Sequence, residues 1–198
     1  MRTHPSVNVG PNEAMLRLDP RAEKRYQQLW LGITRRTWRS IVLVPADPGG
    51  SAAEVARCLA AVGKELCEVP VTAIALSSLE YGSTLALAEL QQRMEREQEP
   101  SARRAALVEV TATTLDRDAL ESASIPHAIG GELLALSPAA RLVITIPAVI
   151  SEPLGGAVAR HADAVVVCVE RGRTRAADVR LTTELIGRER IAGCLLVE

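Results

Sequence analysis

The sequence predicts a doubly wound α/β fold: a mostly parallel sheet flanked by helices in three layers. Three observations lead there. Short apolar runs alternate with helical patterns from residue 40 onward. The runs "SIVLVPA" (40–46) and "DAVVVCVE" (163–170) are almost continuous in Val, Leu and Ile, as strands buried on both faces are. The first of them turns through Pro48, Gly49 and Gly50 into a helical pattern, the order strand, glycine turn, helix.

Composition sets the frame. A chain of 198 residues suits one domain and buries a sizeable core without metal or disulfide support. Aromatic residues make up only 2%, with no Phe, so the core is expected from Leu, Val, Ile and Ala. The net charge of −1 gives no global attraction to DNA or anionic lipid. Arg35, Arg36 and Arg39 form one basic group and Arg171, Arg173 and Arg175 another; both read first as solvated faces. Cys58, Cys67, Cys168 and Cys194 form no CxxC pair, and the histidines lie far from them, so metal-ligand spacing is absent. Cys168 and Cys194 lie in apolar strand-like runs, where Cys serves as a small hydrophobe. The start, "MRTHPSVNVGPNEAM", has no apolar signal core, and no run is long enough to span a bilayer. A reduced, cytoplasmic protein is expected, brought to the inner membrane, if at all, by a partner.

The elements follow in order. Residues 1–19, with Pro5, Gly10 and Pro11, read as a flexible arm, and 20–198 as a single domain. "PRAEKRYQQLWLGITRR" opens with Asp19 as N-cap and Pro20 at the first helical position. Tyr26, Leu29, Trp30 and Ile33 recur on one face. Trp30 and Trp38 are the only tryptophans. Either they anchor this helix on the domain, or with Tyr26, Arg35 and Arg36 they form a partner surface. Strands are expected at 40–46, 71–77, 105–112, 141–148, 163–170 and 191–198. Helices are expected at 52–66, 85–97, 130–138, 153–162 and 175–188. In the last helix Ala176, Val179, Leu181 or Thr182, and Ile186 should face the core. Ligands of such sheets bind at the carboxyl ends of the strands, where the turn at 48–50 lies.

That turn is a phosphate loop without its charged parts. A working loop supplies a lysine to the phosphates and a Ser or Thr hydroxyl to magnesium. Here Pro48, Gly49, Gly50 and Ser51 lead into Ala52, Ala53 and Glu54. Only backbone N–H groups are left for an anion. Glu54 suits a helix N-terminus with no anion on it and repels a triphosphate.

From about residue 20 to the end, the chain resembles the cytoplasmic kinase domain of bacterial tyrosine kinases. These are the CapB, CpsD and Wzc type of capsule and exopolysaccharide export, in the deviant Walker group of P-loop ATPases that includes MinD and ParA. Three stretches carry the resemblance: "VLVPADPGGSAAEVARCLAAVG", "LVITIPAVISEPLGGAVARHADAVVVCVERGRTR" and "TTELIGRERIAGCLLVE". They match the family's phosphate-loop segment, its Asp-Thr-Pro-Pro strand with the Ala-Asp strand after it, and its final helix and strand. The resemblance implies a P-loop NTPase-like fold, a polysaccharide-export setting and protein partners.

The departures are systematic. The family's lysine falls on Ala52, and the Ser and Thr after it on Ala53 and Glu54. Its second acidic motif falls near Leu76, Ser77 and Ser78. The third motif's aspartate falls on Thr145, followed by Ile146, Pro147 and Ala148, and the adenine-side Asn falls on Glu198. The tyrosine-rich tail is missing, leaving Tyr26 and Tyr81, and the ring-assembly motif of the first helix reads Lys24, Gln27 and Trp30. The sequence suggests no catalytic triad around His127 or His161, which read as residues of a turn and a helix end. Phosphoryl transfer rests on positioning and charge neutralisation, and no residues remain for it. The vestigial site comprises Pro48 to Glu54 with Thr145 and Pro147.

The expectation is therefore a non-catalytic, pseudokinase-like scaffold or regulator without cofactor or metal. Its partners would be the cytoplasmic part of a chain-length regulator or export protein, a sibling kinase, or further copies of itself, with no nucleic acid and no membrane insertion. Two alternatives stand beside it. One is an ATP- and magnesium-dependent ATPase or kinase that borrows Arg171, Arg173 or Arg175 from a neighbouring subunit. The other is a ParA- or MinD-like positioning protein.

Overall fold

A computed structural model describes residues 20–35, 37–79, 107–112 and 140–197. The arm at 1–19, the helices expected at 85–97 and 130–138, Arg36 and Glu198 lie outside the described residues. In chain order the elements are α1 (Pro20–Ile33), β1 (Ser40–Pro45), α2 (Ala53–Leu66), β2 (Val71–Leu79), β3 (Leu107–Ala112), β4 (Arg141–Thr145), α3 (Leu154–His161), β5 (Ala164–Glu170), α4 (Ala176–Ile186) and β6 (Ile191–Val197). A short 3-10 turn, Arg188–Arg190, links α4 to β6.

All described strand pairs are parallel, and the six strands lie in the order β3-β2-β4-β1-β5-β6. β1 is flanked by β4 and β5, with Ser40 opposite Leu142 and Ile41 opposite Ala164. Side chains alternate across a strand, so β1 serves two layers. Ile41 and Leu43 pack with Trp30, Val55, Leu59 and Val62 of α1 and α2. Val42 and Val44 pack with Val158 and Ala159 of α3 and Ile186 of α4. Every residue of β1 is buried, which is why it reads as a continuous apolar run. Each fully buried Val, Leu or Ile contributes about 1.5–3 kcal/mol before chain entropy is counted.

At the opposite end from the turn, Asp163 ties β1 to β5. Its carboxylate Oδ2 accepts from the backbone N–H of Arg39 (2.7 Å) and Ser40 (2.9 Å) and from the Ser40 hydroxyl (3.2 Å).

The structure corrects several expectations. Trp30 and Trp38 are 2% and 5% exposed, too buried to offer a partner surface. Their rings meet edge to face, with centroids 5.4 Å apart and planes at 75°. The Arg141 guanidinium lies 5.0 Å from the Trp38 ring centroid and 6.0 Å from that of Trp30, a cation–π arrangement. The Trp30 indole lies against Gly63 of α2, where an added Cβ would meet Cη2 at 2.4 Å. The two tryptophans therefore anchor α1 on α2. Tyr26 is half-buried against the same cluster. Of the five proposed partner-binding residues, the described part leaves only Arg35 exposed.

Helix α4 buries Thr182 and Ile186, while Ala176 and Leu181 face solvent. Cys168 is buried, but Cys194 is exposed on the edge strand. β4 ends at Thr145 rather than 148. Pro147 has no N–H to continue a ladder, and Ile146 makes the last bond, to the Leu43 carbonyl at 3.3 Å.

Candidate functional site

β1 delivers its chain to α2 on one face of the sheet, whereas its neighbours β4 and β5 lead to α3 and α4 on the other. Connections that diverge in this way open a crevice at the carboxyl edge. The loop from Ala46 to Ala52 lies there.

Its geometry is that of a plain turn. The N–H of Ala46 donates to the Cys168 carbonyl at 2.9 Å, and that of Gly50 to the Asp47 carbonyl at 2.9 Å. Gly50 is needed for close approach: a Cβ there would meet the Asp47 carbonyl and the Pro45 side chain at 3.1 Å. The described glycines with positive φ are Gly172 and Gly187, so neither Gly49 nor Gly50 builds the alternating right- and left-handed nest that cradles an anion. Pro48, Gly49 and Ser51 are exposed.

The start of α2 is closed by its own residues. The Ser51 hydroxyl accepts from the Ala53 N–H at 3.3 Å. Ala52, at the N-cap, provides no side-chain hydrogen bond and is buried in the core beneath the helix. Ala53 is half-buried. Glu54 forms an ion pair with Arg57 and accepts from the Cys58 thiol at 3.4 Å. The first turn thus carries its own negative charge, which the helix dipole favours. On the strand side, Thr145 is buried opposite Leu43, and Pro147 is half-buried. Leu76 is buried in β2.

The crevice is bridged by Arg173, from the loop after β5. Its Nη2 donates to the Gly49 carbonyl at 2.9 Å, across 124 positions of sequence. Its Nε lies 2.8 Å from Asp47 Oδ2, and its Nη1 3.5 Å from Glu170 Oε2. Asp47 Oδ2 is buried and has no hydrogen-bond partner; the short approach of Nε is an ion pair off the N–H axis. A Cβ on Gly49 would meet Arg173 Nη2 at 2.6 Å, so the guanidinium sits directly on the turn. The backbone N–H of Glu170 in turn donates to the Thr174 hydroxyl (2.8 Å). Arg171 and Arg175 are exposed.

The sequence marks Pro48 to Glu54 as a vestigial loop and offers Arg171, Arg173 or Arg175 as a cation for a neighbouring subunit. The structure instead binds Arg173 to the turn of its own chain. Asp47 was missed; its place beside two glycines in the turn was the only signal. Among the described residues no cluster of His, Cys, Asp and Glu could hold a metal ion. Among them, too, no helix is long and apolar enough to cross a membrane.

No family model matches the chain, and no curated protein does. Solved structures do. The kinase domain of the Escherichia coli tyrosine kinase ETK superposes with a TM-score of 0.62 at 16% identity, covering 88% of this chain and 74% of that one. The chimerical protein CapA2B2 gives 0.61 at 17% identity, with 90% and 84% covered. The kinase domain of VpsO gives 0.55 at 16% identity, with 88% and 96% covered. The chain thus has the three-layer fold of these structures, and the resemblance read from sequence holds at the level of fold.

Proposed function

We propose that this protein is a non-catalytic scaffold or regulator of bacterial polysaccharide export, built on the fold of a tyrosine-kinase domain. One observation carries the reading: the mouth of the phosphate turn is taken by Arg173, held by Asp47 and the Gly49 carbonyl. A nucleotide phosphate brought there would face Asp47 and Glu54. It would find no lysine on the turn, and Arg173, which lies over it, is already balanced by the carboxylates of Asp47 and Glu170. Catalysis of phosphoryl transfer consists largely of charge neutralisation and positioning, and this arrangement opposes both.

The polysaccharide setting rests on the sequence resemblance, an argument by analogy. In this reading the protein works in the cytoplasm or on the inner membrane through a partner. That partner is the cytoplasmic part of a chain-length regulator or export protein, or a sibling kinase. The fold supplies a rigid frame, and exposed side chains such as Arg35 supply contacts. The alternative, a nucleotide switch completed by an arginine from a neighbour, has its central candidate already engaged within the chain.

Deleting the gene and measuring the amount and chain length of exported polysaccharide tests the setting. The defect should be rescued equally by the native gene and by one carrying Ser51→Ala with Gly49→Ala. Unchanged polysaccharide on deletion would remove the setting. Rescue that needs an intact turn would remove the scaffold.

A further inference from the structure

We propose that the crevice over the phosphate turn is a guanidinium socket, filled in the isolated chain by its own Arg173 and able to take an arginine from outside. The inference rests on the reading that this turn takes no phosphate. It concerns what the crevice binds, not whether polysaccharide export needs that binding.

Three acceptors converge there from segments 124 positions apart. The Gly49 carbonyl accepts from Arg173 Nη2 at 2.9 Å, Asp47 Oδ2 lies 2.8 Å from Nε, and Glu170 Oε2 lies 3.5 Å from Nη1. Two carboxylates and a carbonyl around one planar cation are the chemistry that recognises a guanidinium, whose N–H groups form a rigid fork. A phosphate loop presents N–H groups to its ligand. This crevice presents oxygens, and the group seated on them shows which chemistry they accept.

Arg173 does not use the socket fully. Asp47 Oδ2 is buried and has no hydrogen-bond partner, because Nε approaches it off the N–H axis. A buried acceptor without its hydrogen bond is costly. Arg173 is tethered to the loop after β5, and its side chain stays 52% exposed. A guanidinium without that tether is free to align its N–H groups with Asp47 and form the two parallel bonds of an arginine–carboxylate fork. The resident cation is displaceable, since half-exposed ion pairs are weak. The contact of Arg173 with the turn is therefore autoinhibitory: it holds the socket until a better-placed arginine arrives.

The amide shifts of residues 47–51 and 170–174 of the full chain, followed by NMR at constant ionic strength, test this. The probe is N-acetyl-arginine methylamide. Arg173→Ala, which empties the socket, should bind it with a Kd on the order of 10 mM. The native chain should bind about fivefold more weakly, because its own guanidinium competes. The lysine analogue, a point charge without the fork, should bind about threefold more weakly than the arginine probe. Asp47→Asn in the Arg173→Ala background should weaken arginine binding by about tenfold. If that pair of changes unfolds the chain, Glu170→Gln in the same background gives the second reading and should weaken binding too. Free L-arginine separates two sources of one chemistry: binding as tight as the blocked probe's assigns the socket to the amino acid, and weaker binding assigns it to an arginine of a partner protein. No binding to Arg173→Ala up to about 50 mM probe overturns the proposal. So does lysine bound equally well, arginine bound no more weakly by the native chain, or binding that survives Asp47→Asn, since each places the ligand elsewhere. Failure to bind arginine removes the socket alone, whereas saturable nucleotide binding, measured separately, removes the reading of the turn beneath it.

Discussion

Replacing Gly63 by Ala tests how α1 is held. In a helix interior Ala is favoured over Gly by about 1 kcal/mol, so on propensity alone the change stabilises. The packing says otherwise. The new Cβ would lie 2.4, 2.6 and 2.9 Å from three ring carbons of Trp30, where carbon atoms rest at about 3.5–4.0 Å. The ring has little room to retreat: it is 2% exposed, with Trp38 against it at 5.4 Å and Arg141 over it at 6.0 Å. Overpacking of this kind costs about 1–3 kcal/mol, and a gap of more than an ångström belongs at the upper end. The net expectation is destabilisation by about 1–2 kcal/mol. Urea unfolding followed by tryptophan fluorescence measures it, since Trp30 and Trp38 are the only tryptophans and both sit at this joint. In a Trp30→Leu background the clash is gone, and Gly63→Ala should turn stabilising by up to about 1 kcal/mol. A neutral or stabilising effect in the native background would refute the anchoring of α1 through Trp30.

Three further outcomes are expected. Arg173→Ala should cost no more than about 1 kcal/mol, because its side chain is 52% exposed, yet hydrogen exchange at residues 47–51 should speed up while the sheet stays protected; unchanged exchange there would remove the bridge from the account. Asp163→Ala strips three donors of their acceptor and should cost about 1–3 kcal/mol in denaturant unfolding, with Asp163→Asn milder. Burial pushes the Cys168 thiol from 9.0 up to about 12 and, with help from Cys58, the Tyr26 hydroxyl from 10.0 up to about 12. The folded chain then keeps protons that the unfolded chain releases, so stability is full below the unfolded value of 9.0 and falls as pH rises toward about 12. A flat stability profile across that window would contradict the burial.

The layers were legible because β1 and most of β5 are buried on both faces and write that burial as nearly continuous runs of Val, Ile and Leu. The amphipathic face of α1 was legible too, but not what it meets. Nothing local says that Trp30 lies on Gly63 or that Arg141 covers Trp38, since those contacts join distant segments. For the same reason Ala176 and Cys194 were misplaced, and the choice between Leu181 and Thr182 stayed open until the structure buried Thr182: an apolar residue at the right period reads as core whether or not another element covers it. The phosphate turn was found from its glycines. Its closure was not, because the pairing of Asp47 with Arg173 depends on β1 and β5 being neighbours, which only the strand order reveals.

The central claim is that the phosphate turn is closed by its own chain and binds no nucleotide. Titration calorimetry with ATP and ADP, with and without magnesium, alongside thermal melts, tests it most directly, because a ligand that binds the native state raises its stability with concentration. The account predicts no heat and no shift in melting temperature up to about millimolar nucleotide, where any site tighter than that would give a signal. Saturable, magnesium-dependent binding with a rising melting temperature would contradict it and would mean that Arg173 leaves Asp47 for a phosphate.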